Sequence, residues 1–150
     1  MARLEEFLKT ILSYRTLYLD TNIFIYHLED VSPYSDLTAL LFEQIESRHI
    51  TAFTSVLSLM ELNVRPYQLN EASRALTHIA LLKNLPHLHI REITLEIADR
   101  AAQLRAKYRL TTPDALHLSS ALQSNCQAFL GNDKDLKVPE VPCLVLDRFL

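Results

Sequence analysis

Five short apolar runs alternate along this chain with segments of helical hydrophobic spacing, and that order restricts the fold more than any other feature. Leu17-Tyr18-Leu19, Ile50 to Thr54, His87 to Ile90, Ala128-Phe129-Leu130 and Cys143 to Leu146 read as strands. They are brief and close to continuously apolar, as strands covered on both faces of a parallel sheet are. Leu37, Leu40, Leu41 and Ile45 mark a helix over roughly Ser35 to Ser47. Ala72, Ala75, Leu76, Ile79 and Leu82 mark a second, and Ile93, Ile97, Ala101, Leu104 and Tyr108 a third from about Thr94 to Lys107. Shorter helices are expected over Asn22 to Leu28, over Ser55 to about Asn63 ending before Pro66, and from Pro113 to about Ser124. Arg65 to Glu71 reads as a loop between two helices. The alternation predicts an α/β fold with a central, mostly parallel sheet flanked by helices. No repeat, low-complexity run or linker divides the 150 residues, so one domain over 1–150 is expected.

Composition removes several functional classes. Hydrophobic residues make up 49% of the chain and charged ones 22%, as in globular rather than disordered proteins. A single Gly implies few left-handed backbone positions and no glycine-rich phosphate loop, which argues against dinucleotide and Walker-type sites. Cys126 and Cys143 form no CxxC pattern and lie in apolar surroundings, so buried free thiols are expected rather than structural zinc. No apolar run is long enough to span a bilayer, and the start, Met1 to Glu6, is acidic and unlike a signal. The expected location is cytoplasmic. A net charge of −3 does not suit a protein that coats nucleic acid non-specifically, but it leaves room for local basic patches.

Acidic residues recur where strands meet helices or turns. The segments are Tyr18-Leu19-Asp20-Thr21-Asn22, Ser58-Leu59-Met60-Glu61, Thr112-Pro113-Asp114-Ala115 and Gly131-Asn132-Asp133-Lys134-Asp135. Each has a plain structural use. Asp20 is a good helix N-cap, with Asn22 as a nearby polar support. Glu61 fits a capping box, although Thr54 and Ser55 are better caps, which puts Glu61 in the helix body amid apolar neighbours. Asp114 suits the first turn of a helix capped by Thr112 and opened by Pro113. His117, one turn on, reads as a satisfied, partly buried histidine or, alternatively, as a group supporting the acids from behind. Asn132-Asp133 suits an Asx turn; Asp133 is nearer the strand end, with Asp135 in reserve.

Jointly the acids mean more. In a parallel α/β sheet the carboxyl ends of the strands form one crevice, and acids at those ends can converge there. Packed carboxylates repel one another unless cations neutralise them. Oxygen ligands without zinc-spaced histidines favour Mg²⁺ or Mn²⁺, which activate water and stabilise a leaving oxygen in phosphodiester cleavage.

On these residues the chain resembles the PIN domain, the nuclease fold of VapC-type toxins, over nearly its whole length. Tyr18 to Tyr26 is similar to that family's first motif, Thr54-Ser55 through Glu61-Leu62 to the second, Asp114 to Leu118 with Ala121 to the third, and Asn132 to Leu136 to the fourth. The resemblance implies a metal-binding quartet of Asp20, Glu61, Asp114 and Asp133, supported by Asn22. It implies a Mg²⁺- or Mn²⁺-dependent endoribonuclease, commonly a homodimer. Toxin members are inhibited by a small antitoxin that lays a peptide across the site. One departure stands out: Gly131 occupies the place where members commonly carry Thr or Ser.

Arg65, Arg91, Arg105, Lys107 and Arg109 are candidates to meet RNA phosphates, and Tyr26 and Tyr67 to stack a base. The apolar helix Ala72 to Leu82 is a candidate dimer face or antitoxin groove, or plain core. The rival reading is a catalytically silent PIN-fold interaction or regulatory module, whose signature would be a missing acid. Two other acidic α/β folds fit less well. A haloacid-dehalogenase-type phosphatase needs Asp where Asn22 stands, and a receiver domain needs an Asp after the middle strand, which ends at Phe53-Thr54.

Overall fold

A computed structural model describes residues 2–150. Its strands are β1 (Thr16–Leu19), β2 (Thr51–Ser55), β3 (Leu88–Arg91), β4 (Ala128–Gly131) and β5 (Cys143–Val145). Its helices are α1 (Leu4–Ile11), α2 (Thr21–Leu28), α3 (Tyr34–Glu46), α4 (Val56–Gln68), α5 (Ala72–Asn84), α6 (Leu95–Tyr108) and α7 (Thr112–Gln123). A 3-10 turn over Leu146–Phe149 closes the chain. The strand order is β3-β2-β1-β4-β5, and every pairing is parallel. Strands run outward from β1 through β2 to β3, and then resume on the other side with β4 and β5. The order therefore reverses between β1 and β4, and the crevice at a parallel sheet's carboxyl edge opens at such a reversal.

Period-two alternation sorts the apolar residues onto two cores. Leu17 and Leu19 of β1 and Ala128 and Leu130 of β4 join Phe7, Ile11, Leu37, Leu41 and Ile45 in one core. Tyr18 and Phe129, neighbours in the β1–β4 register, face the other way and pack with Leu104, Leu118 and Ala121. Their rings stack with centroids 5.4 Å apart and planes within 12°. Cys126 is a buried free thiol in this second core, and its burial pushes the thiol up to about 12.

Three details depart from the sequence reading. Helix α1 was not foreseen, although Phe7 and Ile11 repeat at one helical turn and are fully buried. Helix α4 runs through Pro66 to Gln68 and takes up most of the expected loop. Pro66 forgoes a bond to Leu62 but lies buried in the last turn, where Leu69 and Glu71 N–H groups donate to its carbonyl. The single Gly does not mean few left-handed positions: Asp30, Arg48, Asn70, His87, Arg109 and Asn125 all have positive φ. All but His87 stand just beyond a helix C-terminus, where a left-handed residue ends the helix and Asn or Asp tolerates it best.

Thr54 joins the elements that later carry the site. Its buried hydroxyl donates to the Leu19 carbonyl at 2.9 Å and lies 2.7 Å from Ser58 Oγ, linking β1, β2 and α4. Thr54→Val keeps the shape but removes the donor to the Leu19 carbonyl and the short contact to Ser58, so urea denaturation is expected to show a loss of about 1–3 kcal/mol.

Candidate active site

Asp20 leaves the carboxyl end of β1, with its backbone N–H still donating to Leu130 of β4 at 2.9 Å. Its side chain caps α2 by accepting from the Thr21 N–H at 2.7 Å. The capping role and a place in the cleft are therefore both met by one carboxylate. Ser55, not Glu61, caps α4, accepting from the Leu57 N–H at 3.3 Å. That frees Glu61, a turn and a half along α4, to turn inward. Asp114 sits in the first turn of α7, whose N-cap is Thr111 rather than the expected Thr112. Thr111 Oγ1 accepts from the Asp114 N–H at 3.3 Å, and Pro113 occupies the first turn, where its missing donor costs nothing.

Asp133 lies in the turn after β4. Its Oδ1 accepts from the Asp135 N–H at 2.9 Å, so the expected Asx turn is present. Asn132 secures this turn: its Oδ1 accepts from the Asp147 N–H at 2.8 Å and its Nδ2 donates to Tyr26 OH at 3.2 Å. Tyr26 stacks on Tyr34 with centroids 4.2 Å apart, which fixes its ring beside α3.

These pieces meet in one open cleft of about 330 Å³ lined by Asp20, Thr21, Asn22, Ile25, Glu61, Asp114, His117 and Asp133. All four quartet acids and Asn22 are among the lining residues; Asp135 is not. None of Arg65, Arg91, Arg105, Lys107 and Arg109 lines it either. Lys107 pairs with Glu140 at 3.8 Å, and Arg105 donates to the Leu110 carbonyl at 2.9 Å. A roomier groove of about 430 Å³ against α6 mixes Glu96, Asp99, Arg100, Lys107 and Glu140, so it lacks the single-signed field of the acidic cleft.

The support expected of Asn22 comes from its neighbour. Among the described residues the Asn22 side chain has no hydrogen-bond partner, while buried Thr21 donates through Oγ1 to Glu61 Oε1 at 2.8 Å. His117 is 1% exposed and inserts between the acids. Its Nε2 is 2.6 Å from Glu61 Oε1 and 3.5 Å from Asp20 Oδ1, and its Nδ1 is 2.8 Å from Tyr18 OH. One ligating atom each from Asp20, Glu61 and His117 lies within 4.8 Å of the others. Sequence spacing, three residues past Asp114 on the same helix face, favours a satisfied histidine for His117; its contacts with Tyr18 and Glu61 are long-range and unreadable from the chain.

The two closest carboxylates are driven apart electrostatically. Burial raises the pKa of Asp20; nearby Glu61 and Asp114 raise it further, and His117 and the Thr21 N–H pull it partly back. Glu61 is lowered, first by its hydrogen bond with His117 and then, against the cost of burial, by that from Thr21. Gly131 presses on the same spot. A Cβ there would stand 3.1 Å from Asp20 Oδ2 and 3.3 Å from Asp20 Cβ, so the Asp20 carboxylate occupies space that a larger residue would contest.

These features define an α/β protein with an acidic cleft at the reversal point of a parallel sheet. The chain belongs to the PIN domain family, whose sequence pattern matches residues 17–141. Its fold is that of VapC-type proteins. It is similar to the VapBC2 structure from Rickettsia felis bound to a DNA fragment from their promoter, at 18% identity and TM-score 0.65, over 85% of this chain and 96% of that one. A toxin–antitoxin complex from Klebsiella pneumoniae matches at 24% identity and TM-score 0.60, over 83% and 94%. The Mycobacterium tuberculosis sarcin–ricin-loop-cleaving toxin VapC20 matches at 13% and 0.64, over 80% and 92%. No curated protein sequence matches the chain.

The raised pKa of Asp20 sets the sign of a stability test. Its ionised form is disfavoured in the fold, so it costs stability above the folded pKa and nothing below the ordinary carboxylate value. Asn caps a helix as well as Asp does. Asp20→Asn without added metal is therefore expected to raise the urea midpoint at pH 7, with the gain vanishing as pH falls below that value.

Proposed function

We propose that this chain is a Mg²⁺- or Mn²⁺-dependent endoribonuclease and the toxin of a toxin–antitoxin pair. The observation that carries the reading is the convergence of Asp20, Glu61, Asp114 and Asp133, from four separate elements, on one cleft. PIN domains are nucleases, and a concentrated field of carboxylates suits a divalent cation. The donor set fits: carboxylate oxygens are hard ligands for Mg²⁺ or Mn²⁺, and a single imidazole does not make a zinc site of the usual kind. When bound, such a cation supplies Lewis acidity to a phosphoryl oxygen and lowers the pKa of water.

The chain's own residues divide the remaining work. Asp20 and Glu61 hold the deep end of the cleft, and Thr21 fixes Glu61 from below. Asp114 and Asp133 stand at the mouth, where Asn132 and Thr111 hold their backbones. An uncompensated acidic cleft repels RNA phosphates, so the substrate's approach depends on the cation and on arginines outside the lining. Arg65, one turn beyond Glu61 on α4 and exposed, is the nearest of these along the chain.

An antitoxin partner is part of this proposal. Met60, Val64 and Tyr67 on α4 and Leu76 on α5 are exposed at 54%, 45%, 53% and 61%. Leu59, Met60, Asn63, Val64, Tyr67 and Ile79 line an apolar groove of about 330 Å³ there. Apolar exposure of this kind suits a partner helix. The inward side of α5 is core, with Ala75, His78 and Leu82 buried. A homodimer acting in the cytoplasm completes the reading, and no helix among the described residues is long and apolar enough to cross a membrane.

The test compares wild type with Asp20→Asn, Glu61→Gln, Asp114→Asn and Asp133→Asn on structured RNAs with Mn²⁺ or Mg²⁺. Wild type is expected to cleave, chelation to abolish cleavage, and each variant to lose about 100-fold or more. Folded wild type that neither cleaves RNA nor binds Mn²⁺ in calorimetry would favour the silent-module reading. Light scattering decides the dimer.

A further inference from the structure

We infer that His117, oriented by Tyr18, is the positioning residue for Glu61 and selects which of its carboxylate oxygens faces the cleft. The inference rests on the metal-dependent reading above and adds a device to it.

The Glu61 carboxylate is held asymmetrically. Oε1 takes both the Thr21 hydroxyl at 2.8 Å and His117 Nε2 at 2.6 Å. Oε2 has no partner among the described residues, so it is the oxygen left for a ligand. Two short bonds on one oxygen of a half-buried carboxylate fix its rotation, which one exposed bond would not. Thr21 is itself the residue whose N–H Asp20 caps, so the two acids are set relative to each other through a single residue.

The imidazole can serve only in one orientation. An ionised carboxylate accepts and never donates, so the proton between the two groups belongs to Nε2. A neutral ring then has a bare Nδ1, which needs a donor. Tyr18 OH, 2.8 Å away and fully buried, supplies it. Ser55 Oγ lies 3.0 Å from the phenol oxygen and also accepts the Leu57 N–H, so it fixes the far side of the phenol. The order Ser55, Tyr18, His117, Glu61 thus runs from the end of β2 through the core to the cleft. Stacking on Phe129 keeps the Tyr18 ring from turning away. A histidine in a core without this task would be a costly substitute for an apolar residue.

The experiment measures Mn²⁺ affinity by calorimetry for wild type, His117→Gln, His117→Leu and Tyr18→Phe, with circular dichroism to compare folding. A glutamine amide places a donor close to Nε2, whereas leucine places none. His117→Leu is expected to weaken Mn²⁺ binding by about 10- to 100-fold. His117→Gln should recover most of that loss, and Tyr18→Phe should fall between them. Pulsed electron paramagnetic resonance of Mn²⁺ on the wild type should show no directly bonded nitrogen. Equal affinity in wild type and His117→Leu would overturn the inference while keeping the metal site. A directly bonded imidazole nitrogen would overturn it by making His117 a ligand. If His117→Leu does not fold, the Gln and Phe variants decide: failure of Gln to exceed Phe in affinity overturns the inference. Absence of Mn²⁺ binding in folded wild type would remove both this inference and the reading beneath it.

Discussion

Carboxylates brought together at a sheet edge repel, and the deeper pair, Asp20 and Glu61, also loses hydration. The rest of the site is organised by what opposes that cost. At Asp20 the opposing terms are the N–H of Thr21 at the positive end of α2 and the nearby imidazole; they offset burial only in part. At Glu61 the hydrogen bonds with His117 and Thr21 outweigh burial. Two neighbouring acids consequently differ in their hold on a proton. Asp20 is the one with unrelieved charge, and it stands where the strand order reverses. A fold that keeps such a residue gives up stability in its own ground state, which is a common mark of a binding site.

The topology explains why these side chains are affordable together. β1 is the central strand and carries Tyr18 into one core, Leu17 and Leu19 into the other, and Asp20 at its exit. A central strand cannot shift register without turning every one of these residues to the wrong face. Thr54 adds a side-chain tie from β2 back to the Leu19 carbonyl, next to Asp20. The positions of Asp20 and of the Tyr18 phenol are therefore set by the same register, and the hydrogen-bonded path to Glu61 starts from the most constrained element in the molecule.

Much of this was legible in the chain because it depends on local pattern. The five strands, the α/β class and the four acidic corners follow from periodicity and from acids at element ends. What escaped depends on contacts distant in sequence or on context that overrides local preference. Thr21 and Asn22 are adjacent polar residues after Asp20, and nothing local says that Thr21 meets Glu61, 40 residues on. His117 has the spacing of a site residue and equally that of a core histidine; only Tyr18, 99 residues earlier, distinguishes them. Pro66 marks a helix end in most settings, but here it is buried within α4 and the helix runs past it. The left-handed residues show the limit of composition arguments. Helix ends require the conformation, and Asn, Asp and Arg accept it there when no Gly is present.

Gly131 joins the sequence and the geometry. Its substitution for the hydroxyl residue common in the family reads at first as a missing contact. In the fold, its φ is not left-handed, so backbone freedom is not what requires glycine. The constraint is the approach of the Asp20 carboxylate to within 3.1 Å of where a Cβ would stand. A Cβ there would oblige the Asp20 side chain to give by a few tenths of an ångström. Glycine on the β4 side leaves the Asp20 carboxylate its place, while hydrogen bonds from Thr21 on α2 and His117 on α7 hold Glu61 beside it.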